Sequence, residues 1–138
     1  MPAPEFLDTN VLVHAYDPSV SRKQRVAQAL VRRAFAGDIL VSTQVLAEFA
    51  VTLLHKRVRA ARPEDATAVP DALGPLRVVV LDGEIVRRAV EVRGQYGLHL
   101  YDGMIVAAAE RGGCGRIWSK DLSAGQEYLG IAVEYPFQ

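Results

Sequence analysis

The chain has 138 residues, 50% of them hydrophobic, with 16 Lys/Arg against 16 Asp/Glu and a formal net charge of zero. That length fits a single domain over residues 1–138, and the apolar share allows a core without staples, which excludes intrinsic disorder. The one cysteine, Cys114, excludes an internal disulfide and suits a reducing compartment.

In chain order, Glu5–Leu7 reads as a short strand ending at Asp8. Ser21 followed by Gln24 has the spacing of a capping box, opening a helix expected to reach about Ala36 and stop at Gly37. Ile39–Val41 is a second strand ending at Ser42. Between Gln44 and Ala60, Val45, Leu46, Phe49 and Leu53 form one apolar stripe of a helix. Gln44, Glu48, His55 and Arg59 share a polar seam on that helix, and such a seam needs a partner or water. Pro63 suits the first turn of a shorter helix ending near Gly74. Leu76–Leu81 is a third strand, and Asp82 after it is expected to cap a helix marked by Ile85, Val86, Ala89 and Val90. Met104–Ala109 is apolar all round, so its helix is expected to be buried. Arg116–Trp118, ending at Ser119, and Ile131–Val133 are further strands.

Short apolar runs alternating with helical segments predict an α/β fold, a helix–sheet–helix sandwich around a mainly parallel sheet of four to five strands. No basic segment followed by an apolar run opens the chain. No apolar stretch approaches the roughly 20 residues needed to cross a bilayer, so no membrane association and a cytoplasmic location are expected.

The carboxylates carry the chemistry. Asp8 follows strand one, Glu48 lies early in the helix after strand two, Asp102 opens the buried helix, and Asp121 comes two residues after Ser119. In an open parallel sheet these positions fall beyond the carboxyl ends of the strands, where ligands bind. Asp8, Asp102 and Asp121 could each serve only as helix N-caps; Glu48 could not. Clustered carboxylates repel, and a hard divalent cation such as Mg²⁺ or Mn²⁺ resolves the repulsion with oxygen ligands. Zinc is disfavoured, because Cys114, His14, His55 and His99 show no ligand spacing and are expected to be structural or surface groups. Between Ser21 and Arg62 the chain has nine Lys/Arg against two acids, Asp38 and Glu48. Such a basic stretch beside an acidic pocket suits a phosphate backbone.

Four segments resemble the motifs of PIN domains. Phe6-Leu7-Asp8-Thr9-Asn10-Val11-Leu12-Val13 resembles the first, Gln44-Val45-Leu46-Ala47-Glu48-Phe49 the second, and Tyr101-Asp102-Gly103-Met104-Ile105-Val106-Ala107-Ala108-Ala109 the third. Ser119-Lys120-Asp121-Leu122, Gly125-Gln126 and Pro136-Phe137 resemble the ending of VapC-type toxins. The resemblance implies a metal-dependent ribonuclease in which Asp8, Glu48 and Asp102 bind metal and Asp121 is a more variable fourth acid. Thr9, Asn10 and Ser119 would support those acids. It further implies an RNA substrate, a cognate VapB-like antitoxin and a homodimer, with Arg22, Lys23, Arg25, Lys56, Arg57 and Arg59 as candidate contacts for RNA or antitoxin. Three residues depart from the pattern: His14 for a frequent tyrosine, Tyr135 for a frequent asparagine, and Gly103, whose low helix propensity predicts a looser first turn.

Other readings are a housekeeping RNA-processing nuclease of the same kind and a non-catalytic RNA- or protein-binding module. Phosphoryl transfer through an Asp8 nucleophile would need a second acid where Asn10 stands, and a phospho-receiver would need an acidic pair near strand one. There is no Gly-rich phosphate loop, G-x-G-x-x-G or G-x-S-x-G motif.

Overall fold

The computed structural model describes residues 2–55 and 74–138. Six strands form one sheet in the order β3-β2-β1-β4-β6-β5. The strands are β1 (Glu5–Leu7), β2 (Ile39–Ser42), β3 (Arg77–Val79), β4 (Arg116–Trp118), β5 (Glu127–Tyr128) and β6 (Ile131–Glu134). All neighbouring pairs are parallel except β5 with β6. The helices are α1 (Thr9–His14), α2 (Ser21–Phe35), α3 (Thr43–His55), α4 (Gly83–Tyr96) and α5 (Leu100–Arg111).

Every residue of β2 is buried, as are Phe6 and Leu7 of β1. Successive strand side chains point to opposite faces, so these central strands are covered on both sides, the sandwich expected from their unbroken apolar runs. The core joins Phe6, Leu7, Val11, Leu12, Val41 and Phe49 to Ile105, Val106 and Ile117. Strand order reverses at β1: β2 lies on one side and β4 on the other. The register pairs Leu7 with Trp118, and the Asp8 amide donates to the Trp118 carbonyl at 3.0 Å. The residues after both strands therefore start side by side at the reversal, where open α/β sheets hold ligands.

The structure departs from several expectations. Ser21 is not a cap: Val20 is the N-cap residue of α2 and makes no side-chain capping bond. Gln24 instead donates to the Ala15 carbonyl at 3.3 Å, and Gln28 donates to the same oxygen at 3.2 Å, pinning α2 to the end of α1. The third strand ends at Val79, because the Leu81 amide turns to the Thr43 hydroxyl at 3.1 Å and leaves the ladder. A sixth strand, β5, adds to the four or five expected. Asp82 caps α4 as expected, accepting from the Ile85 amide at 3.0 Å. The third helix is seen through His55; its expected continuation to Ala60 and the helix expected from Pro63 lie outside the described residues.

Gly103 has a packing reason that helix propensity does not reveal. A Cβ there would lie 2.7 Å from the Ala89 carbonyl oxygen. Only glycine lets α5 approach the α4 backbone this closely. The pair is also tied at the surface, with Arg88 on Glu110 at 2.9 Å and Arg111 on Asp82 at 2.7 Å.

Candidate active site

Asp8, Glu48, Asp102 and Asp121 all line one cleft of about 520 Å³ at the carboxyl end of the sheet, together with Thr9, Asn10, Gln44 and Tyr101. Four acids distant in sequence share a cavity because β1, α3, α5 and the turn after β4 all reach that end.

Asp8 is buried, with 5% exposure. It is the N-cap of α1: its Oδ1 accepts from the Thr9 amide at 2.7 Å. Its Oδ2 accepts from the Ser119 hydroxyl at 2.8 Å and from Asn10 Nδ2 at 3.4 Å. The capping reading is thus correct for Asp8 but covers only one of its oxygens. Ser119 Oγ also accepts from the amides of Asp121 and Leu122, both at 3.1 Å. A hydroxyl has one proton and two lone pairs, so Ser119 is saturated and its proton is committed to Asp8.

Glu48 is held on both oxygens. Thr9 Oγ1 donates to Oε1 at 2.7 Å and Gln44 Nε2 to Oε2 at 3.3 Å. Gln44 Nε2 also donates to the Tyr101 carbonyl at 3.1 Å, so it spans from α3 to the first turn of α5. The polar seam thereby finds its partner, and Gln44 is a positioning residue whose role the sequence marked only as a seam. The described part of that seam comprises Gln44 and Glu48; Arg59 and the His55 side chain lie outside it.

Asp102 does not open its helix. His99 does, accepting the Tyr101 amide on Nδ1 at 3.2 Å, and this capping role agrees with the structural reading of that histidine. Asp102 lies in the first turn of α5, where the helix dipole favours an anion. Asp121 caps no helix either: it sits in the turn after β4, exposed, with its amide on Ser119. Asn10 Oδ1 braces this turn by accepting the Lys120 amide at 2.9 Å. Thr9, Asn10 and Ser119 thus each hold an acid or the segment carrying one.

Burial above all raises the Asp8 carboxyl from 3.8 to about 6; the charges of Glu48 and Asp121 add to this, against the hydrogen bonds from Ser119 and Thr9. Burial, then Asp121 and Glu48, raise Asp102 as well, with His99 opposing. Among the described residues, no group of three His, Cys, Asp or Glu side chains is gathered tightly enough to clasp one ion. The donor set nevertheless fits a hard divalent cation: the acids supply only oxygen, face a common cleft, and the charges of Glu48 and Asp121 help to raise Asp8 and Asp102.

Of the candidate contact residues, Arg22 donates to the Phe137 carbonyl at 2.6 Å, and Lys23 stands over the Phe137 ring, 5.7 Å from its centroid. Both hold the C-terminal tail. Arg25 is exposed on α2, whereas Lys56, Arg57 and Arg59 lie outside the described residues.

No curated protein matches the chain in sequence. Among solved structures, a toxin–antitoxin complex from Klebsiella pneumoniae has a chain 21% identical, with TM-score 0.69 over 97% of this chain and 98% of that one. VapC20 of Mycobacterium tuberculosis, a sarcin–ricin loop cleaving toxin, is 19% identical, with TM-score 0.66 over 85% and 89%. DNA-bound VapBC from Salmonella typhimurium is 18% identical, with TM-score 0.70 over 96% and 97%. These likenesses describe a shared fold. The PIN domain family model matches residues 6–124, most of the chain and every acid of the cleft. The chain belongs to the PIN domain family.

Proposed function

We propose that this protein is a metal-dependent endoribonuclease acting as the toxin of a VapBC-type toxin–antitoxin pair. The observation that carries the reading is the convergence of Asp8, Glu48, Asp102 and Asp121 on one cleft in a PIN domain. These four acids would hold Mg²⁺ or Mn²⁺, which supplies an activated water and charge neutralisation for in-line hydrolysis of a phosphodiester. Ser119 and the Thr9 amide fix both oxygens of Asp8, and Gln44 and Thr9 fix both oxygens of Glu48. The acids so held need little reordering when they meet charge. Asn10 keeps the Asp121 turn against α1.

The structural neighbours include toxin–antitoxin complexes, which supports a VapB-like antitoxin as partner. Val86 and Val90, one turn apart and exposed on α4, offer an apolar face for a homodimer. No helix among the described residues is long and apolar enough to cross a membrane.

The test is cleavage of a panel of structured RNAs with Mg²⁺ or Mn²⁺, comparing the parent chain with Asp102→Asn. Asp102 is the better choice of acid, because in Asp8→Asn either orientation of the amide would set its NH2 against a donor, the Ser119 hydroxyl or the Thr9 amide. We expect metal-dependent cutting that leaves a 5′-phosphate and a 3′-hydroxyl, is abolished by EDTA, and falls at least about 100-fold in Asp102→Asn. Cutting that persists in EDTA, or 2′,3′-cyclic phosphate ends, would overturn the mechanism.

A further inference from the structure

At the α1 side of the acid cleft, His14 and Lys23 pack against one aromatic ring, and a third basic side chain, Lys120, meets His14. Lys120 Nζ lies 2.9 Å from His14 Nε2. The ammonium has only protons to offer, so Nε2 accepts and the imidazole is neutral, with its own proton on Nδ1. The His14 ring packs edge-on against Phe137 at 4.8 Å between centroids, and Lys23 Nζ sits 5.7 Å from the centre of the same Phe137 ring. Phe137 itself is buried, with its carbonyl tied by Arg22. The ring is a fixed post that holds His14 and Lys23 beside each other.

The cluster has positive charge to spare. Among the described residues, neither Lys23 nor Lys120 pairs with a carboxylate; the ion pairs there belong to Arg33, Arg88, Arg111 and Arg116. Burial first, then the charges of Lys120 and Lys23, hold His14 below the usual imidazole range, with Asp17 opposing. Lys120 is exposed and keeps two ammonium protons free of His14.

Its position relative to the acids is fixed. The Lys120 amide is held by Asn10, whose other side-chain atom touches Asp8, and Asp121 is the next residue. His14 follows Asn10 by one turn of α1, about 6 Å along the axis. A cation one helical turn from a phosphodiester-cleaving centre is placed for a neighbouring phosphate of the same strand.

We propose that Lys120, aimed by His14 and flanked by Lys23, forms a binding site for one backbone phosphate of a nucleic-acid substrate next to the acid cleft. The proposal rests on the nuclease reading for the identity of the strand, but it is tested by binding rather than by cutting. The probe is a fluorescein-labelled 12-nucleotide single-stranded RNA, titrated by anisotropy onto the full chain carrying Asp102→Asn across a NaCl series. Adding Lys120→Ala is expected to weaken binding about 3- to 10-fold at low salt and to reduce the slope of log K against log salt by about 0.7, one phosphate contact on a single strand. Lys120→Arg restores both, and Arg87→Ala, on the exposed face of α4, changes neither. The proposal is overturned if Lys120→Ala leaves affinity and slope unchanged, or if Arg87→Ala weakens binding equally. It is also overturned if a poly-glutamate peptide loses affinity for Lys120→Ala while the RNA does not, since the patch then serves a protein partner. Cutting by the parent chain is scored separately. A chain that never cuts but binds RNA through Lys120 loses the nuclease reading and keeps the site; one that cuts without needing Lys120 for binding loses only the site.

Discussion

Ser119 carries more of the site than a single hydroxyl usually does. It is fully buried, gives its proton to Asp8 and receives two amides from the turn that bears Asp121. Ser119→Ala would strip Asp8 of a stabilising donor and orphan two backbone N–H groups. We expect a loss of about 1–3 kcal/mol in urea denaturation, because buried polar groups left unpaired cost their full desolvation. A loss below about 0.5 kcal/mol would show that water replaces the hydroxyl and that the network is not what fixes the turn. Asp8 and Asp121 were legible because they follow strands and Glu48 because it lies on a helical seam, whereas Asp102 was legible only to within a few residues, since the helix it was expected to open is capped by His99. Ser119, Thr9 and Asn10 entered only through their likeness to a family motif. The span of Gln44 from Glu48 to the Tyr101 carbonyl was not legible, since it depends on how close α5 comes to α3.

That approach is set at the level of the elements. Gly103 lies beside Asp102 and faces the backbone of α4, where an added Cβ would sit 2.7 Å from the Ala89 oxygen. On helix propensity alone, Gly103→Ala should gain about 1 kcal/mol. The steric clash with a carbonyl oxygen should cost about 1–3 kcal/mol, with a rigid backbone rather than a flexible side chain as the obstacle. We expect net destabilisation by thermal denaturation and weaker cutting, because α5 must move out and take Asp102 with it. A neutral or more stable Gly103→Ala would mean that the helices can part freely. Propensity read along one helix could not reveal this, because the constraint comes from a residue 14 positions earlier on another element. The missed strand β5 has a similar cause. Its hairpin turns on Leu129 and Gly130, both with positive φ (53° and 76°), a two-residue turn without the Asn-Gly or Asp-Gly pair that announces one. The strands and helices with long apolar patterns were legible; those defined by a turn or a neighbouring backbone were not.

At the scale of the described molecule, two fields lie side by side: an acid cleft with no lysine or arginine among its described lining residues, and a basic cluster in which neither Lys23 nor Lys120 pairs with a carboxylate, in a chain with no net charge. The acid side would make the proposed metal binding a proton-linked event. With the Asp8 carboxyl at about 6 when folded against 3.8 unfolded, the folded state binds more protons between those values. The stability Asp8 lends is therefore complete below pH 3.8 and lost as pH rises through about 6, and the upward shift of Asp102 acts in the same direction. Carboxylates held low elsewhere, such as Asp82 beside Arg111 and Glu110 beside Arg88, act in the opposite direction, so the bare stability curve does not isolate the site. The difference between protein with and without added metal would, since the proposed ion would touch only the cleft acids. A divalent ion bound beside Asp8 would have to displace its proton at pH 5 but would find the carboxylate largely bare at pH 7.5. About 10 mM Mg²⁺ or Mn²⁺, against EDTA at matched ionic strength, should raise the melting temperature by about 2–6 °C at pH 7.5. The shift should be clearly smaller at pH 5, and Asp102→Asn should shrink the shift at pH 7.5. Equal shifts at both pH values would show that the ion binds somewhere other than beside Asp8, and no shift at either would remove the metal from the site.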